Sequence, residues 1–408
     1  MGGGVRYVGV GERRGRLALR QRLAPGARAE SPEEVAASLV ALHGTDPATV
    51  YLAVGARLTD AAGTVPETGR ALYEDRSLVR MHGMRHTVFV FPTDLTAVVH
   101  ASTGLTVAAR ERAKLLKDMA TAGAPDAAWL KEVEESALAA LALRGQATAA
   151  ELAEDEPRLR EQFVYAAGKG YEGVHTVSTR LLKVLGVEGK VVRGRPLGSW
   201  TSSQFRWAVA PPHPELDVPE AQAALLGRWL TVCGPATEAD LKWWTGWKVT
   251  DVRRALAAIK AQEVSLDKGT GYVVHGDADP VAEPAEPWAA LLPALDPTAM
   301  GWQARDWYLA PDLRPQLFDG SGNVGPTVWW NGRVVGAWAQ RPDGEIAWRL
   351  LDEEGIGRVE RATIEAEAQR LQGWVGTSRV TPRFRTPLEK ELAAGPLSPS
   401  GGPPSGGV

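Results

Sequence analysis

Gly234-Pro235-Ala236-Thr237-Glu238-Ala239-Asp240-Leu241-Lys242-Trp243-Trp244 is the stretch whose reading decides the fold. The glycine and proline turn the chain after a helical pattern over 221–232, and Thr237 caps a short helix over 238–244. A longer helical pattern follows over 250–261. Val264-Ser265-Leu266 and Tyr272-Val273-Val274-His275 then pair across the glycine-bearing turn 267–271. Helices followed by a strand pair is the order of a winged-helix module, the helix-turn-helix variant common among DNA-binding proteins.

The same order occurs twice upstream. Residues 136–143 are helical, Thr148 caps a short helix, 177–186 forms a recognition-type helix, and 189–196 with 204–209 makes a wing. Before them, 101 to about 145 holds two helices broken at Gly123-Ala124-Pro125. In the first unit, Ser31-Pro32-Glu33-Glu34 opens a helix that continues to Leu42, Pro47 starts another, and Thr87-Val88-Phe89-Val90-Phe91-Pro92 is extended. Three units of one kind indicate a repeat architecture, with spacing too irregular for a solenoid. A composition break over 277–287 separates them from a last region of strands at 291–296, 327–338 and 345–350, with Asn331-Gly332 as a type I′ hairpin signal. A helix is expected from about 357 to 374. Gly, Pro and Ser dominate 395–408, which reads as a disordered tail.

At 408 residues the chain exceeds one core, so two to four domains are expected. A hydrophobic fraction of 44% and a charged fraction of 23% are those of an ordinary globular protein. No run of apolar residues spans a bilayer, and the N-terminus lacks a signal core. The single Cys233 excludes an internal disulfide and fits a reducing cytosol. Net charge is −3, yet its distribution is uneven: arginines stand at 13, 14, 16, 20, 22 and 28 with no acid between them. Lys190, Arg193 and Arg195 form a second basic run. Each run is either a solvated face or a phosphate-contacting surface. Fourteen of the fifteen tryptophans lie from Trp200 onward, as core of a small β-domain or as stacking platforms for bases. His82 and His86 are four apart, but Gly83 and the β-branched run argue against a helix, and no third ligand is spaced nearby. No metal site is expected.

Leu42-His43-Gly44-Thr45-Asp46-Pro47 gathers an imidazole, a hydroxyl and a carboxylate at a junction between helices. Two readings stand side by side. In one, Asp46 caps the helix that Pro47 begins and His43 packs against it; in the other the three side chains form a reactive site. Walker A, H-E-x-x-H and G-x-S-x-G signatures are absent, and Gly9-Val10-Gly11-Glu12-Arg13-Arg14-Gly15 misses G-x-G-x-x-G by one residue.

Residues 42–47 with Ala56-Arg57-Leu58 resemble a stretch of the AlkZ- and YcaQ-type bacterial DNA glycosylases: leucine, glutamine, any residue, glutamine or aspartate, then aspartate-proline. Met84-Arg85-His86-Thr87 is similar to their Met-Arg-Gly-Thr. Gly234-Pro235-Ala236-Thr237 with Asp240 and Trp244, and Pro326-Thr327 followed by residues 331–338, look like further family segments. The resemblance runs from about 12 to 375 and implies an α+β chain of three tandem winged helices followed by a β-barrel-like domain. The boundaries expected are 1–100, 101–218 (linker helices and the second winged helix), 219–280, 281–378 and an extended tail over 379–408. Excision of alkylated purines, in some members from interstrand crosslinks, is implied too. So are double-stranded, damaged DNA as partner, a monomer, no cofactor, no metal, and a cytoplasmic, nucleoid-associated location. His43 and Thr45 stand where the family has its glutamine and its glutamine or aspartate.

Cleaving an N-glycosidic bond creates an oxocarbenium-like sugar and needs a group that stabilises the cation or positions water. His43, Thr45 and Asp46 are the candidates: a base or water holder, a hydroxyl partner to that water, and a carboxylate. Arg13, Arg16, Arg20, Arg85, His86, Lys190, Arg193 and Arg195 are the candidate phosphate contacts. An alternative is a non-catalytic winged-helix DNA-binding or regulatory protein. A third reading sequesters a DNA-damaging small molecule in the aromatic C-terminal region.

Overall fold

The computed structural model describes residues 5–395 apart from 124, 167, 169 and 171. The expected Gly, Pro and Ser tail past 395 lies outside the described residues. No helix among them is long and apolar enough to cross a membrane.

In the first unit, helices Pro32–Leu39, Pro47–Gly55 and Thr64–Tyr73 pack against a three-stranded antiparallel sheet. Its central strand Val88–Pro92 lies between Leu42–His43 and Leu78–His82. Helix Thr93–Val99 runs on through 100–104 into Leu105–Thr121 with helical backbone throughout, starting earlier than the pattern from 101 suggested. The second unit holds helices Ala127–Arg144, Ala149–Asp155 and Val177–Val187 and two hairpins, Gln162–Tyr165 with Gly173–Thr176 and Val191–Pro196 with Phe205–Val209. Helices Val218–Cys233, Glu238–Thr245 and Val249–Ala258 and the hairpin Gln262–Leu266 with Gly269–Val273 make the third. Its short helix starts where expected because Thr237 and Asp240 cap it reciprocally: the Thr237 hydroxyl accepts from the Asp240 amide at 3.1 Å, and the Asp240 carboxylate accepts from the Thr237 amide at 3.0 Å.

Two expectations about the C-terminal region are corrected. Its strands Ala289–Leu292, Thr327–Trp330, Arg333–Gln340 and Ile346–Leu350 form an open antiparallel sheet in chain order; no closed barrel occurs among the described residues. Helix Arg358–Val375 packs on both outer strands and buries Ile364, Ala368 and Leu371, which covers the apolar face without closure. Nor is 379–395 an extended tail. Residues Pro387–Ala394 form a helix whose Leu388 and Leu392, four apart on one face, are buried on the sheet. Most of the tryptophans serve as core: Trp229, Trp302 and Trp329 are each 2% exposed or less, and Trp302 meets Trp307 edge to face at 5.1 Å.

Arg57 joins the first unit to the last. Its guanidinium donates to both Asp296 oxygens at 2.9 and 2.7 Å, to Thr298 Oγ1 at 2.7 Å and to the Gln21 and Ala53 carbonyls, and neither Arg57 nor Asp296 is exposed. Removing one partner leaves an uncompensated buried charge, at a cost of about 3–5 kcal/mol. Asp296→Asn should therefore lower the unfolding free energy by roughly that amount in denaturant titration. Arg57→Met combined with Asp296→Leu should lose less than either single variant; a double variant as unstable as the sum of the singles would refute the pair's role.

Candidate functional site

The candidate loop is an edge strand leading into a capped helix. Helix Pro32–Leu39 begins at Ser31, whose hydroxyl accepts from the Glu34 amide at 3.2 Å. It ends three residues earlier than its apolar pattern suggested, because buried Val40 adopts φ 65° and redirects the chain. Such backbone in a β-branched residue is strained by about 1–3 kcal/mol, held here by the packed core. Leu42 then pairs with Val90 and His43 with Phe89. Gly44 donates its amide to Val88 O at 2.8 Å, and a Cβ there would meet the Phe89 backbone at 3.2 Å, so glycine permits the approach.

Strand alternation buries Leu42 completely and turns His43 to the opposite face, where its ring meets Phe89 edge-on at 5.3 Å. His43 Nδ1 is buried without a partner. Burial first, then the charge of Arg85, lowers the imidazole's pKa from 6.5 to about 4. It is neutral at physiological pH. Thr45 is half-buried, and among the described residues nothing hydrogen-bonds its hydroxyl.

Asp46 is different. It is 7% exposed; Oδ1 accepts from the Ala48 amide at 3.1 Å and Oδ2 from the Arg383 amide at 3.0 Å. The carboxylate caps helix Pro47–Gly55 and fastens the segment after Val380 across the loop. Of the two sequence readings of Asp46, the geometry favours capping. The trio therefore divides: His43 and Thr45 are half-buried and unpartnered, whereas Asp46 is engaged by backbone.

The basic residues divide as well. Arg16 is 1% exposed and bound to Glu12 at 2.9 Å, Asp277 Oδ2 at 3.2 Å and the Asp279 carbonyl at 2.6 Å. Arg20 bonds Asp277 Oδ1 at 2.6 Å and Thr231 O at 3.0 Å. Arg13 lies buried over the Trp307 ring at 4.1 Å, and burial lowers its pKa to about 10. These three side chains of helix Val10–Arg20 clamp it to the third and last regions, so the run from 13 to 20 is not the open phosphate-contacting face it resembled. Beside the neighbouring Glu12, the acid that Arg16 and Arg20 share is Asp277, too distant in sequence to be read as a partner. Lys190 is paired with Glu188 at 3.1 Å and also with Glu134, and Arg195 with Glu74 at 2.7 Å.

Arg85 and His86 occupy left-handed backbone, φ 53° and 59°, in the turn before Val88–Pro92. Arg85 lies over Trp243 of the third unit at 4.2 Å. His86 stacks on His82 at 5.3 Å with Nδ1 3.5 Å from Glu111, and no group of metal-ligating side chains occurs among the described residues. Arg193 packs over Phe205 at 4.5 Å and, among the described residues, has no carboxylate within ion-pair distance. Sequence reasoning missed Arg80 and Arg383. Arg80 sits in an alternating strand, Leu78–His82, where the burial of every second residue was the available signal. Arg383 lay in the segment taken for tail.

The chain matches the family described as DNA glycosylase AlkZ-like over residues 36–374. No curated protein matches significantly. Among solved structures, the Streptomyces sahachiroi DNA glycosylase AlkZ is similar with a TM-score of 0.69 at 21% identity, over 93% of this chain and 100% of that one. A match over most of the chain, together with a shared fold, places this protein in the AlkZ-like DNA glycosylase family.

Proposed function

We propose that this protein is a monofunctional DNA glycosylase that hydrolyses the N-glycosidic bond of alkylated purines in duplex DNA, including purines alkylated in interstrand crosslinks. It acts as a monomer without cofactor. The three helix-and-hairpin units are winged helices spanning 1–100, 101–218 and 219–280, and 281–378 supports the first of them. The observation that carries this reading is the neutral, unpartnered His43 on a strand rigidly seated by Leu42, beside an unpartnered Thr45.

The chemistry follows from charge. An N7- or N3-alkylated purine is cationic, and its departure takes the C1′–N electron pair and leaves an oxocarbenium-like sugar. Both species are positive, so a neutral imidazole approaches them where an imidazolium would be repelled. Water bonds C1′ as the purine leaves; His43 accepts the water's proton and Thr45 orients it. Asp46 is a positioning residue, holding the strand-to-helix junction through its two backbone bonds. One observation favours the second reading, a non-catalytic DNA-binding or regulatory protein: the only carboxylate of the loop is engaged by backbone amides rather than open to water.

Single-turnover excision from duplexes carrying N7-methylguanine, N3-methyladenine or a nitrogen-mustard crosslink tests this. His43→Ala should lower abasic-site formation by about 10²–10⁴-fold with DNA affinity unchanged. Asp46→Ser, which keeps a cap, should retain most activity, whereas Asp46→Ala should lose about 1 kcal/mol of stability. No base release by the unaltered protein, with DNA binding intact, would establish the second reading.

The pH dependence follows from His43. Excision should be flat from pH 8 to 5 and decline as pH falls through about 4, where the imidazole protonates. Its folded pKa lies below the unfolded 6.5, so the folded chain holds fewer protons between those values. The associated stability is complete above pH 6.5 and is lost as pH falls toward about 4. His43→Gln should shallow the Tm-against-pH slope in that window; an unchanged slope would contradict the shifted pKa.

A further inference from the structure

We propose that Arg80, Arg193 and Arg383 form one oxyanion site that takes a phosphodiester of the DNA backbone where the first unit's sheet meets the second unit's hairpin. The inference rests on the duplex-DNA substrate of the proposed function, and it is independent of whether that DNA is cleaved.

Arg80 is 5% exposed, and its Nε and Nη2 are buried without a hydrogen-bond partner. No carboxylate lies within ion-pair distance of Arg80, Arg193 or Arg383 among the described residues. A guanidinium withdrawn from water without an acceptor is destabilising, and cations are rarely buried unpaired. Strand Leu78–His82, which carries Arg80, packs against strand Val191–Pro196, which carries Arg193. Arg383 stands on the segment that its own amide ties to Asp46, close enough to Arg193 for its charge to act there. The charges of Arg80 and Arg383 both act on Arg193, adding to burial in lowering its pKa to about 10.

The three side chains are graded in depth. Arg383 is exposed, Arg193 is half-buried and Arg80 is buried. Stacking on Phe205 fixes the Arg193 plane, leaving its donors free. Three guanidiniums with unpartnered donors and no acid match a tetrahedral oxyanion with several acceptor oxygens. Phosphodiester and free phosphate share that chemistry. Convergence from three separate parts of the chain favours an extended ligand laid across them.

Arg80 is in register with Val90 and Leu42, while His43 belongs to the adjacent row with Phe89 and Met81 and faces the other way. Their strands lie about 10 Å apart, two inter-strand spacings, and the two side chains project to opposite faces. Affinity and chemistry are therefore separable.

The test measures binding of a short undamaged duplex in which each phosphate in turn is replaced by neutral methylphosphonate. One linkage should cost the unaltered protein about tenfold in affinity. Arg80→Met and the exposed Arg383→Met should each bind the natural duplex about as weakly, be insensitive to that same linkage, and lower the salt slope by about one. Without DNA, Arg80→Met should melt no lower than the unaltered protein, since an unpaired buried charge has been removed; a purely structural arginine would lower Tm. Equal losses at every linkage in variant and parent alike would overturn the proposal. So would a Tm raised by inorganic phosphate in the parent but not in Arg80→Met, with no linkage coupled, which would assign the site to free phosphate. Absence of excision with the coupled linkage retained would remove the glycosylase reading and leave this site standing.

Discussion

The ion pair between Arg57 and Asp296 is the constraint on which the candidate site depends. Every residue of helix Pro47–Gly55 is buried, so the helix is a strut inside the molecule rather than a surface element. Its C-terminal end is fixed by Arg57 and by Arg370, which donates to the Gly55 and Ala56 carbonyls at 2.9 and 3.2 Å. Gly55 admits the Trp374 ring, which would lie 2.6 Å from a Cβ at that position. The N-terminal end is fixed by Asp46. A rigid rod pinned at both ends gives His43 and Thr45 a defined place, although neither is held by a hydrogen bond of its own. The cost of burying the Arg57 charge is offset by five hydrogen bonds.

Local chemistry was legible in the sequence, and long-range pairing was not. The third unit's helices begin and end within a few residues of expectation because Thr237, Asp240 and Gly246 act on their own neighbours. Helix Pro32–Leu39 was overestimated because nothing local marks Val40; its backbone is set by the strand pairing of Leu42 with Val90. The arginines from 13 to 20 looked free since Asp277 and the Trp307 ring are supplied from distant parts of the chain. Asp46 was recognised as a cap, but its second bond, to Arg383, crosses 337 positions. Helix Pro387–Ala394 went unread beside the Gly, Pro and Ser of 395–408, although Leu388 and Leu392 carry the spacing of a buried helical face.

Charge is sorted by position rather than by total. Acids outnumber bases over the whole chain, giving −3. Many of those acids are engaged in pairs such as Glu188 with Arg112 and Glu389 with Arg385, where the arginine is already satisfied. Among the described residues Arg80, Arg85 and Arg193 have no acid within ion-pair distance. Two of these stand on the first unit's sheet or the turn beside it.

Arg85 bears on the imidazole. Burial first and then the charge of Arg85 lower the His43 pKa, so positive charge near the sheet helps keep the imidazole unprotonated. Because burial is the larger cause, the imidazole stays neutral over the pH range of the proposed reaction even where the charge of Arg85 is offset.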